Sequence, residues 1–232
     1  MGTLYIVATP IGNLQDITLR ALKILESVDF IACEDTRTSA ILIKHYFKGR
    51  EKVILDKLFS YFEQNELQKI PQVLNLLENG KNVAIISESG TPAISDPGFK
   101  LIREALGRGF KVESIPGPSS VISALVSSGL PTDKFIFLGF LPKKSGHRDN
   151  LLKKLKDSLS LINATVIIFE SPFRLTKTLQ EISVNFGDID VVIMRELTKI
   201  HEERRKDKIS KLIEYYKKGV KGEIIILFST KG

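Results

Sequence analysis

Short runs of β-branched and other apolar residues alternate along this chain with longer segments in which apolar residues recur every three or four positions. The clearest runs occupy residues 4–8, 30–33, 83–86, 165–169 and 223–228. Such runs are typical of buried strands, whereas the longer spacing is typical of helices that pack through one face. Regular alternation of the two predicts an α/β fold with a mainly parallel sheet.

Two further strands are predicted at residues 135–138 and 191–194. The helices between the strands are predicted from apolar residues that share one face: Leu19, Leu22 and Leu25 after a cap at Asp16; Ile41, Leu42 and His45 after Asp35; Val73, Leu74, Leu76 and Leu77 between Pro71 and Gly80; Leu101, Ile102, Ala105 and Leu106; Leu151, Leu152, Leu155 and Leu159; and Leu175, Leu179, Ile182 and Phe186. We place Pro71 in the first turn of its helix and Gly80 just beyond the last turn.

Three loops contain more glycine, proline and small hydroxyl residues than an ordinary connection needs. They are residues 9–13, 87–98 and 116–120, and each follows a predicted strand. In an open α/β sheet the loops at the carboxyl ends of the strands converge, and glycines there let backbone amides approach a ligand closely. We interpret the three as ligand-binding loops. The alternative is that they are stiff turns with a purely structural role.

The Pro116-Gly117-Pro118 run interrupts the alternation and predicts a domain boundary, with one domain over residues 1–116 and another over residues 117–232. Residues 1–118 hold 14 Lys/Arg and 14 Asp/Glu, whereas residues 119–232 hold 20 and 13, so the second part carries the whole net charge of +7. Basic clusters there could contact the phosphates of a nucleic acid or could form an ordinary solvated face.

Several common kinds of site are not expected. The single cysteine, Cys33, cannot form an internal disulfide and is interpreted as a small core residue. The three histidines, His45, His147 and His201, are far apart, so no metal site is predicted. P-loop, nucleophile-elbow and dinucleotide-binding glycine motifs do not occur. The apolar runs are far shorter than the roughly 20 residues that span a bilayer, so we expect a cytoplasmic protein with no membrane partner.

Seven segments, in order over nearly the whole chain, resemble the motifs of one known family. They are residues 4–14, 29–37, 87–98, 116–119, 139–142, 169–174 and 195–199. This set resembles the tetrapyrrole methylase superfamily, and more closely its bacterial ribosomal RNA branch. The chain departs from the family pattern at Glu88, where the family usually has Asp, and at Phe62 and Gln64, which replace two histidines. A histidine cannot act as a base or an RNA contact in that segment here.

The resemblance implies an α/β N-terminal domain with a mainly parallel sheet, an α+β C-terminal domain, and S-adenosylmethionine in the cleft between them. It implies a homodimer that methylates the 2′-oxygen of a cytidine in small-subunit ribosomal RNA, either free or in the assembled small ribosomal subunit. One alternative is a methyltransferase of the same fold that acts on a tetrapyrrole or another small acceptor, although such relatives typically carry a G-x-G-P-G-D first loop. Another is a non-catalytic RNA-binding assembly factor, which would not need three stiff loops.

The resemblance also implies which residues form the cofactor site. Loop amides around Ser89, Gly90 and Thr91 are suited to hold the methionyl carboxylate, and Pro10, Ile94 and Ser95 to line the body of the cofactor. The full set of expected cofactor contacts is Pro10, Ser87, Ser89, Gly90, Thr91, Ile94, Ser95, Pro116, Gly117 and Ser119.

A ribose hydroxyl is a weak acid, so a base or cation should help to remove its proton. Candidates at the ends of strands are Glu34, Asp35, Glu170, Arg174, Arg195 and Glu196, and for each the alternative is an ordinary salt bridge. Glu170 is the preferred base or ribose contact, because it ends a strand where a core position would be apolar. RNA contacts are expected from Arg37, Lys143, Lys144, Arg148, Arg204 and Arg205.

Overall fold

The computed structural model describes residues 1–230. Within that range the strands are β1 (Thr3–Val7), β2 (Phe30–Cys33), β3 (Leu58–Ser60), β4 (Val83–Ile86), β5 (Lys111–Ile115), β6 (Phe135–Phe140), β7 (Thr165–Glu170), β8 (Asp190–Arg195), β9 (Glu203–Lys208) and β10 (Ile224–Ser229). The α-helices are α1 (Leu19–Ser27), α2 (Thr36–Tyr46), α3 (Glu51–Leu55), α4 (Glu66–Glu78), α5 (Phe99–Gly107), α6 (Ser120–Ser127), α7 (Ser145–Leu161), α8 (Leu175–Phe186) and α9 (Ile209–Tyr216).

The chain divides into two compact units, Met1–Ser119 and the part that begins at Ser120. The first unit contains a five-stranded sheet in the order β3-β2-β4-β1-β5. All neighbouring strands in it are parallel. The predicted α/β class with a parallel sheet is therefore confirmed.

Helices cover both faces of the first sheet, which explains why its strands are apolar without interruption. In β4, Ala84 and Ile86 pack with residues of α1 and α2. Val83 and Ile85, which point to the other face, pack with residues of α4 and α5. A strand buried on two sides cannot show the alternation of apolar and polar residues that marks a half-exposed strand.

The second unit contains a sheet in the order β6-β7-β10-β8-β9. β6 and β7 are parallel, whereas the β7–β10, β10–β8 and β8–β9 pairs are antiparallel. Residues of α7, α8 and α9 pack with one face of this sheet in a single apolar cluster. This mixed sheet agrees with the α+β architecture expected for the C-terminal domain.

Two strands, β3 and β9, were not predicted from the sequence, and a third, β5, was implied only by the loop that follows it. β3 has only three residues, too few to show a periodicity. β9 reads Glu-Arg-Arg-Lys-Asp-Lys, and its charged side chains alternate between exposed and half-buried positions. It lies at the edge of its sheet, where charged side chains can reach solvent. A strand in this position does not require apolar residues at alternate positions.

Several predicted helix details are wrong. Thr18, not Asp16, caps α1, through a hydrogen bond from the amide of Ala21 to its Oγ1. Leu19 lies at the first position of α1, where it is exposed. The buried face of α2 is formed by Ser39, Leu42 and Ile43, and Ile41 and His45 point to solvent. In α5, Leu106 is exposed as well.

Pro71 lies in the second turn of α4 and not in its first turn. The carbonyl of Leu67 therefore lacks the partner that an N–H at position 71 would supply. Both residues are exposed, so water can pair with that carbonyl. At the other end Gly80 adopts a φ of +75° just beyond the helix, as predicted.

Candidate functional site

The three loops rich in glycine, proline and hydroxyl residues lie next to one another at one edge of the first sheet. They follow β1, β4 and β5, which are neighbours and parallel, so their carboxyl ends meet at this edge. Thr9 and Gly90 exchange two backbone hydrogen bonds of 2.9 and 3.1 Å. The first and second loops are therefore joined as a short antiparallel bridge.

Hydroxyl side chains fix the loops further. Thr9 Oγ1 donates to the carbonyls of Ser87 and Gly90 at 3.2 and 3.4 Å. Ser87 Oγ donates to the carbonyl of Gly90 at 3.2 Å. Thr91 Oγ1 donates to the carbonyl of Pro118 at 3.1 Å, which ties the second loop to the third. The small hydroxyl residues that stand out in the sequence thus hold these turns together.

Two glycines are required by this arrangement. Gly90 has a φ of +85°, which is in the left-handed region. A residue with a Cβ atom would be destabilised in this conformation. A Cβ atom on Gly117 would lie 2.9 Å from the Cβ of Ala8, closer than two carbons can approach. The third loop can therefore lie against the end of β1 only because residue 117 has no side chain.

The second loop also contains strained backbone. Ala93 and Ser95 have φ values of 67° and 65°, which cost non-glycine residues about 1–3 kcal/mol each. The loop ends at Gly98, whose amide donates to Glu66 Oε1 at 3.0 Å. Glu66 is buried, accepts a hydrogen bond from Tyr61 and pairs with Lys100. Such strain persists only where the surroundings enforce it, and it is concentrated at ligand sites.

Four carboxylates, Glu34, Glu63, Glu88 and Asp96, lie near enough to one another that the charges of the other three act on Glu34, and we call them the acidic cluster. Burial and the nearby charge of Glu88 raise the pKa of Asp96 to about 6, although a hydrogen bond from Ser87 acts in the opposite direction. The pKa of Glu34 is raised as well, first by burial and then by the charges of Asp96, Glu88 and Glu63. A site that holds several carboxylates under mutual repulsion is suited to a cationic ligand or to proton transfer.

Asp35, the neighbour of Glu34, has a different role. Its side chain caps α2 by accepting the amide of Arg37 at 2.7 Å, and it pairs with the Arg37 guanidinium. These hydrogen bonds lower the pKa of Asp35 to about 2, so it is a poor base. Of the two predicted catalytic carboxylates in the first unit, only Glu34 has the properties of a proton acceptor.

All ten predicted cofactor contacts lie on the three joined loops. Pro10, Ser87 and Gly90 are buried in the framework of the loops; Ser89, Thr91 and Ser119 are half-buried; and Ile94, Ser95, Pro116 and Gly117 are exposed. The half-buried and exposed residues have atoms that a ligand could contact. Their assignment to the cofactor stays a prediction.

The predicted base Glu170 is enclosed by partners in the second unit. Its side chain has no exposed surface. One carboxylate oxygen accepts hydrogen bonds from the amide of Ser171 and from Arg174, and the other accepts the hydroxyl of Thr178. This is the environment of a structural ion pair that holds the turn after β7, so the salt-bridge alternative is favoured, and a catalytic role for Glu170 and Arg174 stays a prediction.

Arg195 and Glu196 also have structural partners. Arg195 Nε pairs with Glu203 at 2.9 Å across the β8–β9 ladder. Glu196 accepts the amide of Glu223 and the ammonium of Lys199, at 2.8 and 3.0 Å. The salt-bridge alternative is favoured for both residues.

Among the predicted RNA contacts, Arg148 is buried. It is 2% exposed, it forms a bidentate pair with Glu181, and it donates to the carbonyls of Pro142 and Lys143. A guanidinium with these partners cannot reach a phosphate. The sequence did not reveal this because a buried and an exposed arginine look alike in a basic segment.

The other predicted RNA contacts are accessible to different degrees. Lys143 and Lys144 are exposed. Arg204 donates to the carbonyls of Ser127 and Ser128 at the end of α6, and the Arg205 guanidinium lies 3.5 Å from the centroid of the Tyr215 ring. Arg37 is 89% exposed but pairs with Asp35. The two lysines are therefore the best candidates.

Asp96, Glu88 and Glu66 were not named as site residues from the sequence. Asp96 and Glu88 lie in the second loop, and a carboxylate among small hydroxyl residues was the available signal. Glu66 gave no signal, because an acidic residue in the first turn of a helix is ordinary. Its contact with Gly98 spans 32 positions and exists only in the folded chain.

Among residues 1–230, no group of three or more His, Cys, Asp or Glu side chains is arranged to hold a metal ion. In the same part of the chain, none of the helices combines the length and apolar content that a bilayer-spanning segment needs.

Comparison with known proteins identifies the family. Residues 3–213 match the model of the tetrapyrrole (corrin/porphyrin) methylases. A Hydrogenobaculum sp. relative is 47% identical over 229 residues, which cover 97% of this chain and 95% of the relative. A Thermotoga maritima relative is 46% identical over 232 residues and the full length of both chains. The solved uroporphyrin-III C-methyl transferase from Thermus thermophilus, complexed with S-adenyl homocysteine, aligns at a TM-score of 0.66 with 16% identity, covering 99% of this chain and 98% of that one.

The chain therefore belongs to the tetrapyrrole methylase family. Within this family, both the Hydrogenobaculum and the Thermotoga relatives bear the name ribosomal RNA small subunit methyltransferase I. The recognition made from seven short segments is thus confirmed.

Proposed function

We propose that this protein transfers a methyl group from S-adenosylmethionine to the 2′-oxygen of a cytidine in small-subunit ribosomal RNA. The observation that carries the proposal is the 46–47% identity, over essentially the whole chain, to proteins named ribosomal RNA small subunit methyltransferase I. The three joined loops and the acidic cluster support the cofactor part of it.

The residues at the carboxyl edge of the first sheet fit S-adenosylmethionine. Backbone amides near Ser89, Gly90 and Thr91 would hold its methionyl carboxylate, because amides of tight turns are good partners for anions. The cofactor also carries a positive sulfonium and a positive ammonium group at neutral pH. The acidic cluster around Glu34 and Asp96 would attract these charges, and their binding would relieve the repulsion between the carboxylates.

Held by these loops, S-adenosylmethionine would supply an electrophilic methyl carbon for the ribose oxygen, with its sulfur as the leaving group. The loops would also position the acceptor oxygen for this transfer, and such positioning accounts for a large part of the rate. Asp96 accepts the proton that the 2′-hydroxyl loses. Burial is the main reason that its pKa in the free protein is about 6, which makes it a stronger base than an ordinary aspartate while leaving it ionised at neutral pH.

Lys143 and Lys144 contact phosphates of the RNA. We further expect two chains to associate as a homodimer in the cytoplasm, as the resemblance to the family implies. Light scattering checks the dimer, since a mass equal to that of one chain contradicts it.

The function is tested by incubating the protein with methyl-labelled S-adenosylmethionine and two acceptors: naked small-subunit ribosomal RNA, and small subunits from a strain that lacks the modification. We expect label in one or both acceptors, at a single cytidine. A 2′-O-methylated nucleotide resists alkaline cleavage, because its 2′-oxygen can no longer attack the adjacent phosphate. Label that alkali releases as an ordinary nucleotide contradicts the 2′-O assignment, and no label in either RNA contradicts the function.

A further inference from the structure

One edge of the second sheet gathers several loops that the proposed chemistry does not use. Ile224, the first residue of β10, pairs with Glu170 at the end of β7 and with Arg195 at the end of β8. Phe140, the last residue of β6, pairs with Phe169 of β7. The segments that leave β6, β7 and β8 therefore emerge at this edge, and so does the segment that enters β10. We call it the loop edge of the second sheet.

Phe173 lies at the loop edge, in the turn after β7, with 97% of its surface exposed. Aromatic side chains usually bury most of their surface, so a phenyl ring in this position needs an explanation. A ring at the tip of a flexible loop would be unremarkable, but the turn that carries Phe173 is not flexible.

Three backbone amides of this turn donate hydrogen bonds within it. The amide of Ser171 donates to Glu170 at 2.6 Å, the amide of Phe173 donates to Ser171 Oγ at 3.3 Å, and the amide of Arg174 donates to the carbonyl of Ser171 at 3.0 Å. Pro172 restricts the backbone further. The buried Glu170–Arg174 pair described above anchors the turn, so the ring is presented from a rigid base and little backbone entropy is lost on binding.

Several exposed lysines lie along the loop edge near the ring. Arg174 Nη1 donates to the carbonyl of Leu141 at 3.2 Å, which places the Lys143–Lys144 segment beside the turn. Lys217, Lys218 and Lys221, all exposed, precede β10 at the same edge. An exposed aromatic ring flanked by lysines matches single-stranded RNA, which offers the face of an unpaired base and adjacent phosphates together.

We propose that Phe173 stacks on an unpaired base of the RNA substrate while the lysines of the loop edge hold the neighbouring phosphates. This inference rests on the proposed function, because it concerns the same acceptor. It assigns Phe173 a role in binding and positioning RNA, with no part in binding the methyl donor.

The test compares Phe173→Ala and Phe173→Tyr with a matched control. Leu161 is 85% exposed and lies at the end of α7, just before β7 begins, so it is at the opposite edge of the sheet. Stacking on one base is worth about 1–3 kcal/mol, so we expect Phe173→Ala to weaken binding to naked small-subunit RNA about tenfold and to raise KM for that RNA. Phe173→Tyr keeps the ring and should retain wild-type binding, and Leu161→Ala should do so too.

The thermal midpoint and the affinity for S-adenosylhomocysteine, measured by calorimetry, should not change in any of these variants, because residue 173 packs against nothing. Wild-type RNA affinity in Phe173→Ala overturns the inference. If the wild-type protein also methylates naked RNA, a defect in Phe173→Ala that appears only with assembled subunits overturns it too, because the ring would then contact a ribosomal protein.

A fluorescence experiment measures stacking on residue 173 directly. The chain contains no tryptophan, so Phe173→Trp introduces a single indole at the loop edge. We expect small-subunit RNA to quench its emission at the concentrations that support methylation, and we expect Leu161→Trp to be unaffected. Unchanged emission from Phe173→Trp overturns the stacking. If the wild-type protein methylates no RNA at all, the proposed function has failed, whereas active wild-type protein with indifferent Phe173 variants refutes only this inference.

Discussion

At the scale of single residues, the charged side chains that are buried or half-buried fall into two groups. Glu170 and Arg148 are buried and fully partnered within their own unit, so they stabilise local structure. Glu34 and Asp96 are half-buried, and burial, followed by the charges of nearby carboxylates, raises their pKa values. Only in the second group would a bound cation or a proton relieve an unfavourable charge.

Asp96 is expected to stabilise the protein less than an uncharged residue would. Its pKa of about 6 in the folded chain lies above the ordinary 3.8, so the folded state holds the proton more tightly. Its contribution to stability is full below about pH 4, falls as the pH rises through 6, and stays low above that. Asp96→Asn should therefore raise the thermal midpoint at pH 8 by a few degrees and leave it nearly unchanged at pH 4.

The same substitution should lower kcat for methylation sharply, because asparagine cannot accept the ribose proton. Calorimetric scans at the two pH values and a methylation assay check both effects. Asp35→Asn serves as the comparison, since the pKa of Asp35 is lowered and its loss should destabilise the protein at neutral pH. A fully active Asp96→Asn variant would remove Asp96 from the chemistry.

At the scale of elements, the candidate site depends on how closely the third loop approaches β1. Gly117→Ala forces a Cβ atom to within 2.9 Å of Ala8. Overpacking of this kind costs about 1–3 kcal/mol, and we expect it to weaken S-adenosylmethionine binding roughly tenfold by moving the loop. Isothermal titration measures the change.

Gly107→Ala is the matched control for this prediction. Gly107 ends α5 in the same unit, and a Cβ atom there meets nothing within 4 Å. Its replacement should leave cofactor affinity unchanged. Equal affinities of Gly117→Ala and the wild-type protein would show that the third loop does not contact the cofactor.

At the scale of the whole molecule, the excess positive charge of the second part should be visible in the salt dependence of RNA binding. Each phosphate contact adds about one unit to the slope of log affinity against log salt concentration. The double variant Lys143→Ala/Lys144→Ala should therefore flatten the slope by about two units, with thermal stability unchanged because both side chains are exposed.

Arg148→Ala distinguishes the loss of a positive charge from the loss of a phosphate contact in the same measurement. It removes one positive charge from the same segment, but the side chain is buried and paired with Glu181. We expect a loss of about 3 kcal/mol in stability and no change in the salt slope of the folded protein. A slope that responds to Arg148 and not to the lysines would place the RNA elsewhere.

The sequence by itself determined the fold class and most of the strands and helices. Buried strands such as β2 and β4 consist of apolar runs, and the faces of α7 and α8 follow the helical period, so local periodicity was sufficient to predict them. Residues with special backbone needs, such as Gly90 and Gly117, also stood out, because few residue types can occupy such turns.

Only the tertiary structure decided which polar residues belong to a site. The burial of Arg148 and Glu170, the joining of Thr9 to Gly90, and the effect of the Asp96 charge on Glu34 all depend on segments far apart in the chain. β9 became a strand because β8 offers it a free edge, against the preference of its own charged residues. Local sequence fixes backbone preference and apolar pattern, whereas the desolvation and pairing of charges depend on neighbours that are brought near only by folding.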